Sequence, residues 1–305
     1  MGAQRAWWTM DDMTADVLRY AAFTDHGQGG NPAGVVLDAT GLTDTDMLAI
    51  AADVGYSETA FLTPTGQSAR FGMRYFSPRA EVAFCGHATI ASAIALAERT
   101  KAGAITLDTR AGPVTVTTHE TPDGYAATLT SVPTRTTPAG DALVSRALDI
   151  LGWDRDDLDD RYPPHIAYAG NDHLILAAAT RERLTDLDYD FPALELLMAE
   201  QRWTTVHLFW AETPTLFHAR NPFPPGGVVE DPATGAAAAA FGGYLRALHM
   251  VPVPGSVIIV QGQDMGAPSR LIVDLDDSAP GVEVTGRATR LTGPIDQRRQ
   301  LRLSR

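Results

Sequence analysis

The chain of 305 residues has one cysteine, Cys85. No internal disulfide, four-cysteine zinc site or cysteine-ligated iron–sulfur cluster can form within it. Cations are scarce: 24 Lys+Arg against 37 Asp+Glu leave a formal net charge of −13, which would repel a phosphate backbone, so nucleic acid is not an expected partner. Long apolar runs are missing too. The alanine-rich stretch Thr234–Phe241 falls far short of a membrane span, and no membrane contact is expected. A phosphate-binding glycine fingerprint is absent, because Pro32 occupies the place where a third glycine would follow Gly27 and Gly29, and no GK[ST] occurs anywhere. The eight histidines form no H-x-H, HExxH or His/Cys cluster, so no metal is expected. Met1–Thr14 lacks a cationic start followed by an apolar run, and together with the single cysteine this points to a cytoplasmic protein with a loose leader. The closing Gln297–Arg305, with four arginines, reads as a solvated end.

What is present is an ordinary globular composition, 45% hydrophobic and 20% charged. Val17–Thr24 and Gly34–Leu37 read as short strands around a turn at Gly27–Pro32. Thr43, with Asp46 three residues on, predicts a capped helix that ends at Gly55. A strand Glu58–Thr63, a helix Ala88–Arg99 and strands at Ile105–Thr109, Val114–Thr118 and Tyr125–Leu129 complete a first α+β module. Pro133–Gly140, with its prolines and threonines, reads as a linker. Beyond it lie helices at Ala142–Leu151 and Ala193–Arg202, then strands at His173–Ala178, Thr205–Trp210, Val257–Gln261, Leu271–Leu275 and Val282–Thr285.

The two halves repeat. Arg74-Tyr-Phe-Ser-Pro leads to Cys85-Gly-His-Ala and a helix, while Arg220-Asn-Pro-Phe-Pro leads to Thr234-Gly-Ala-Ala and a helix. The two arginines and the two glycines are separated by nearly the same length of chain, so one module has been used twice. Each copy puts a glycine at a helix start, where unpaired N–H groups and the helix dipole favour an anion. If the copies face each other, two such ends share one cleft.

Gly30-Asn-Pro-Ala33, Ser57-Glu-Thr-Ala-Phe61, Phe84-Cys-Gly-His-Ala-Thr89, Glu230-Asp-Pro-Ala-Thr-Gly235 and Gln261-Gly-x-x-Met-Gly266 follow in order. In this the sequence, over about residues 17–295, resembles the phenazine-biosynthesis PhzF-like family. The resemblance implies an α+β fold like that of diaminopimelate epimerase: two pseudo-symmetric domains, each a curled mixed sheet around a central helix, with the active site between them. The expected boundaries are 15–132, rejoined by 286–305, and 133–285. It also implies a homodimer and a cofactor-independent isomerase of secondary metabolism that shifts a proton within an unsaturated cyclic or amino acid-derived carboxylate.

Carried onto this chain, the family's site residues are Glu58 as general acid/base and His87 and Asp231 as its catalytic companions. Asn31, Gly86, Gly235 and Ala236 would bind substrate. A carboxyl partly withdrawn from water can take a proton from carbon and return it elsewhere, provided the substrate delocalises the charge. Cys85 aligns in the repeat with Thr234, and a threonine cannot act as the second thiol that stereoinversion needs, so an amino acid epimerase is the weaker reading. A binding protein for small acids that has lost turnover is the other alternative. The chain departs from the family at Ala236, where the usual pattern continues Thr-Gly-Ser.

Overall fold

A computed structural model describes residues 16–293, so the leader Met1–Thr14 and the tail Gln297–Arg305 lie outside the described residues. Among the described residues, six α-helices, Asp44–Val54 (α1), Gly86–Ala97 (α2), Asp141–Leu151 (α3), Arg181–Thr185 (α4), Phe191–Gln201 (α5) and Gly235–Ala247 (α6), accompany one mixed sheet of 17 strands. The α+β class expected from the sequence is the class found.

Two of the helices are cores rather than covers. In α2, ten of twelve residues are buried, and in α6 ten of thirteen. A helix apolar all round has no solvent face to offer and must be wrapped. Strands do the wrapping: α2 packs on Val17–Ala22, Asn31–Val36, Gly112–Thr121, Gly124–Thr130 and Glu283–Arg290, and α6 on Arg135–Pro138, His165–Tyr168, Asp172–Ala177 and Ser269–Leu275. The alanines and glycines that fill both helices let those strands come close. The amphipathic helices lie outside: α1 buries Met47 and Ala51 against Val36, Phe61 and Phe76, while α3 and α5 bury Val144, Leu148, Leu194 and Met198 against Leu174, Leu176, Val206 and Leu208.

The cap expected for α1 is present. Asp46 N donates to Thr43 Oγ1 at 3.2 Å, Thr43 N donates back to the Asp46 carboxylate at 2.8 Å, and Gly55 closes the helix at φ 69°.

Two sequence expectations need correction. Asn31 and Pro32 are not turn residues: they open the strand Asn31–Val36, opposite Ala22 and Ala21. Pro32 is tolerated because the second neighbour of this strand, Thr59–Pro64, joins only from Gly34 onward, so no ladder bond needs the missing N–H. Nor is Pro133–Gly140 a linker. Arg135–Pro138 pairs with His165–Tyr168, and Thr134 is pinned from two sides, its N–H donating to Pro280 O at 3.0 Å and its Oγ1 accepting from Arg246 of α6 at 2.9 Å. The last strand, Glu283–Arg290, pairs with Ile272–Asp274 from the second half and with Ala126–Thr130 and Tyr20–Ala22 from the first.

Close packing of Thr134 on α6 allows a test. A Cβ added at Gly243 would lie 2.5 Å from the Thr134 Cβ. Helix propensity favours alanine over glycine by about 1 kcal/mol, but overpacking against a β-branched residue held at its backbone costs about 1–3 kcal/mol. Gly243→Ala is therefore expected to lower stability by about 1–2 kcal/mol in chemical denaturation, and a gain in stability would show that Thr134 is not fixed.

Candidate active site

Four separate segments deliver polar groups to one point. Asn31 comes from a strand start, Glu58 from the residue before the strand Thr59–Pro64, His87 from the first turn of α2, and Asp231 from the end of the strand Val228–Asp231. Asn31, His87 and Asp231 are buried, and the Glu58 side chain is 16% exposed.

The Asn31 amide is the hub. Its NH2 donates to Asp231 Oδ1 at 2.8 Å and to Ala233 O at 3.0 Å, and lies 3.3 Å from His87 Nδ1. With an NH2 group facing Nδ1, neutral His87 carries its proton on Nε2. That nitrogen is 3.4 Å from Glu58 Oε2 and 3.4 Å from Ser57 Oγ. Cys85 completes the group, its sulfur 3.6 Å from Glu58 Oε2 and 3.4 Å from His87 Nδ1. Burial, reinforced by the Glu58 carboxylate, pushes the Cys85 thiol well up, so it stays protonated and does not act as a thiolate.

Asp231 is held on its other side. Thr234 Oγ1 donates to Asp231 Oδ2 at 2.6 Å, and Gln261 Nε2 donates to the Asp231 carbonyl at 2.7 Å while Gln261 Oε1 accepts from Thr234 N at 3.2 Å. Burial raises the Asp231 carboxyl from 3.8 to about 6, against the stabilising pull of His87 and the Thr234 hydroxyl.

The two helix starts meet here. Gly86 and Gly235 are the first residues of α2 and α6, and a Cβ on Gly86 would sit 3.9 Å from the Gly235 Cα. Neither preceding residue, Cys85 or Thr234, caps its helix with a side chain, as the usual serine or aspartate would. Two positive dipole ends thus face one another beside Glu58 and Asp231.

A cleft of about 820 Å³ opens onto this group. Asn31, Ser57, Glu58 and Asp231 line it; His87, Gly86, Gly235 and Ala236 do not, and belong to the layer behind. Ala236 is half-buried in the first turn of α6.

Sequence spacing missed one grouping. Glu58, Cys85 and His87 offer ligand atoms within 4.8 Å of one another, a set that folding brings together without any short motif. The tautomer argues against a resident metal, since a ligating Nε2 would move the ring proton to Nδ1, where it would confront the Asn31 NH2. The trio suits proton transfer better than coordination. Two further features also went unread. Gln261 was visible in a motif but without a task. Each half also carries a forked Arg–Glu clamp ahead of its central helix: Arg74 to Glu81 at 2.8 and 2.7 Å, and Arg220 to Glu230, with Nε at 2.9 Å. The repeated arginines were the signal, and the differing Glu spacing hid the partners.

A pseudo-symmetric pair of strand-wrapped helices whose N-termini meet is the architecture of the diaminopimelate epimerase-like class of α+β proteins. Within it, this chain belongs to the phenazine biosynthesis-like (PhzC–PhzF) family, whose sequence model matches residues 20–293. It is 31% identical to the uncharacterized isomerase YfhB of Bacillus subtilis, covering 90% of this chain and 95% of that protein. It is 28% identical to the trans-2,3-dihydro-3-hydroxyanthranilate isomerase of Pseudomonas chlororaphis, covering 87% and 93%. The crystal structure of a PhzF-family phenazine biosynthesis protein from Bacillus anthracis superposes with a TM-score of 0.79 at 26% identity, covering 90% of this chain and 96% of the other.

The raised Asp231 carboxyl has a consequence for stability. Between its ordinary value of 3.8 and about 6, the folded protein holds this proton more tightly than the unfolded chain does. The contribution is fully present below about pH 4 and lost as pH rises through about 6, on the order of 3 kcal/mol in all. Asp231→Asn removes it, so the variant should gain on the parent by that order between about pH 4 and pH 7 in urea titrations. Parallel pH profiles would show that Asp231 ionises normally in the folded state.

Proposed function

We propose that the protein is a cofactor-independent isomerase that moves a proton along one face of an unsaturated cyclic or amino acid-derived carboxylate, with Glu58 as the group that carries it. The observation that carries this reading is the convergence of Glu58, His87, Asn31 and Asp231, from both halves of the chain, where two helix N-termini meet. The Pseudomonas chlororaphis relative, a trans-2,3-dihydro-3-hydroxyanthranilate isomerase, supports the same class of reaction.

Glu58 as carboxylate removes a proton from the carbon next to the conjugated system. The electron pair left behind spreads into the substrate acid, and the positive ends of α2 and α6, which begin at Gly86 and Gly235 in the layer behind the cleft wall, stabilise that charge through their dipoles. His87, with its Nε2 proton toward Glu58, steadies the carboxylate in the base form, and Asp231 with Asn31 orients a polar substituent of the substrate. Protonated Glu58 then returns the same proton at the far end of the conjugated system, so no proton is consumed. Thr234 precedes α6 where Cys85 precedes α2, and a threonine hydroxyl cannot serve as the second thiol base of a stereoinversion, which favours a shift. The same reading takes 15–132, rejoined by 286–305, and 133–285 as the two modules of a cytoplasmic homodimer.

Glu58→Gln preserves shape and removes the base. It should fold normally and lose turnover of trans-2,3-dihydro-3-hydroxyanthranilate, or of whichever acid the wild type isomerises, by a factor of about 100 or more in kcat. Equal kcat values for the two proteins would remove Glu58 from the mechanism. Ala236→Ser restores the hydroxyl of the usual family pattern. If Ala236 fits a differently substituted acid, the serine variant should lower kcat/KM for the native acid and keep or raise that for dihydro-hydroxyanthranilate, since a buried hydroxyl without a partner is unfavourable. A rise for the native acid would show that Ala236 does not set specificity.

A further inference from the structure

The cleft is lined by four carboxylates, Asp53, Glu58, Glu230 and Asp231, and by a single cation, Arg79. Three of those carboxylates are committed elsewhere: Glu230 to Arg220, Asp231 to Asn31 and Thr234, and Glu58 to the Cys85–His87 pair. Among the described residues, the Arg79 guanidinium has no hydrogen bond, ion pair or ring contact, with Asp53 or with anything else.

Its backbone, by contrast, is fixed. Arg79 sits in the turn Ser77–Ala80, where Arg79 N and Ala80 N donate to Ser77 Oγ at 3.2 and 3.0 Å and Ser77 N donates to Ala80 O at 2.9 Å. Pro78 presets the first turn residue. From this turn in the first half, the side chain extends across the cleft until Nη1 comes within 4.0 Å of where a Cβ on Gly227 of the second half would be. Glycine at 227, at φ 76°, leaves that room open.

Depth separates Arg79 from the reacting end. Asn31 and Asp231 are buried, whereas Arg79 is exposed, and Val82, Phe223 and Val228 add apolar surface to the cleft lining. About 820 Å³ is several times the volume of a one-ring acid.

We propose that Arg79 is a specificity-determining residue that binds a second acidic group, distal to the reacting carboxylate, so that the substrate is an elongated unsaturated acid with an apolar middle and an anion at each end. This rests on the proposed function in taking the cleft as the substrate site. A fork of guanidinium donors on an anchored turn suits a carboxylate or a phosphate, and Arg79 is the one cation lining the cleft, which a single-ring monoacid held beside Asn31 and Asp231 leaves unused.

The test compares two probes that differ only at the distal end, cinnamate and 4-carboxycinnamate, by isothermal titration calorimetry. Wild-type protein should bind the diacid about tenfold tighter, Arg79→Ala should bring the ratio close to one, and Arg79→Glu should push it below one, with cinnamate itself changing less than twofold. Thermal melts of both variants at wild-type temperature establish that the exposed turn has not unfolded. A diacid preference that survives Arg79→Ala, or no preference in the wild type, overturns the proposal while leaving the acid/base site intact. Cinnamate binding indifferent to Asn31→Ala overturns the cleft as an acid site, and the proposal with it.

Discussion

Two helix N-termini that abut are electrostatically awkward. Each end carries roughly half a positive charge, and at the Gly86–Gly235 contact the two face each other with no side-chain cap on either. The fold accepts this because carboxylates stand beside it: Glu58 on one side, and on the other Asp231, whose oxygens are held by Asn31 and Thr234. The rest of the molecule follows from keeping that contact in place. Both helices are buried on all faces, so neither can slide without disturbing a whole turn of sheet. Each half also fixes the strand pair leading into its helix with a forked arginine clamp, Arg74 to Glu81 and Arg220 to Glu230.

Positioning then passes through short polar chains. Asn31 joins the two halves because a strand start in the first donates to Asp231 and Ala233 in the second. Gln261, from the strand Gly255–Gln261, ties the Asp231 carbonyl to the N-cap of α6. Losing either would leave buried donors or acceptors unmatched, which is more damaging than losing an exposed bond. The candidate catalytic groups are therefore held in place by neighbouring polar side chains.

The parts of this arrangement written in local signals could be read from the chain. Thr43, Asp46 and Gly55 bound α1 through capping chemistry that involves only near neighbours, and Gly86 and Gly235 begin α2 and α6 as the repeat suggests. What depends on distant pairing could not be. Arg135–Pro138 looks like a linker because its partner His165–Tyr168 comes some thirty residues later, and Asn31-Pro32 looks like a turn because nothing nearby reveals Ala21 and Ala22 opposite. In the site, Glu58 and His87 were recognisable by motif. The thiol of Cys85 between them, the reach of Gln261 and the glutamate partners of Arg74 and Arg220 depend on side-chain directions that spacing does not encode.

The pairing of the earliest described strand with the latest has a consequence for how the chain acquires its shape. Tyr20 lies opposite Arg290, and the strand Glu283–Arg290 also borders Ala126–Thr130. During synthesis the first half emerges with an unfilled slot in its sheet, and that slot stays open until nearly the whole chain has left the ribosome. Contacts of such long sequence separation slow folding, and the exposed strand edges invite association with other chains meanwhile. The same closure brings residues 20–22 and 288–290 side by side, so a permuted order in which the strand Glu283–Arg290 precedes Val17–Ala22 and the chain opens at a surface turn would turn a late-made strand into an early one.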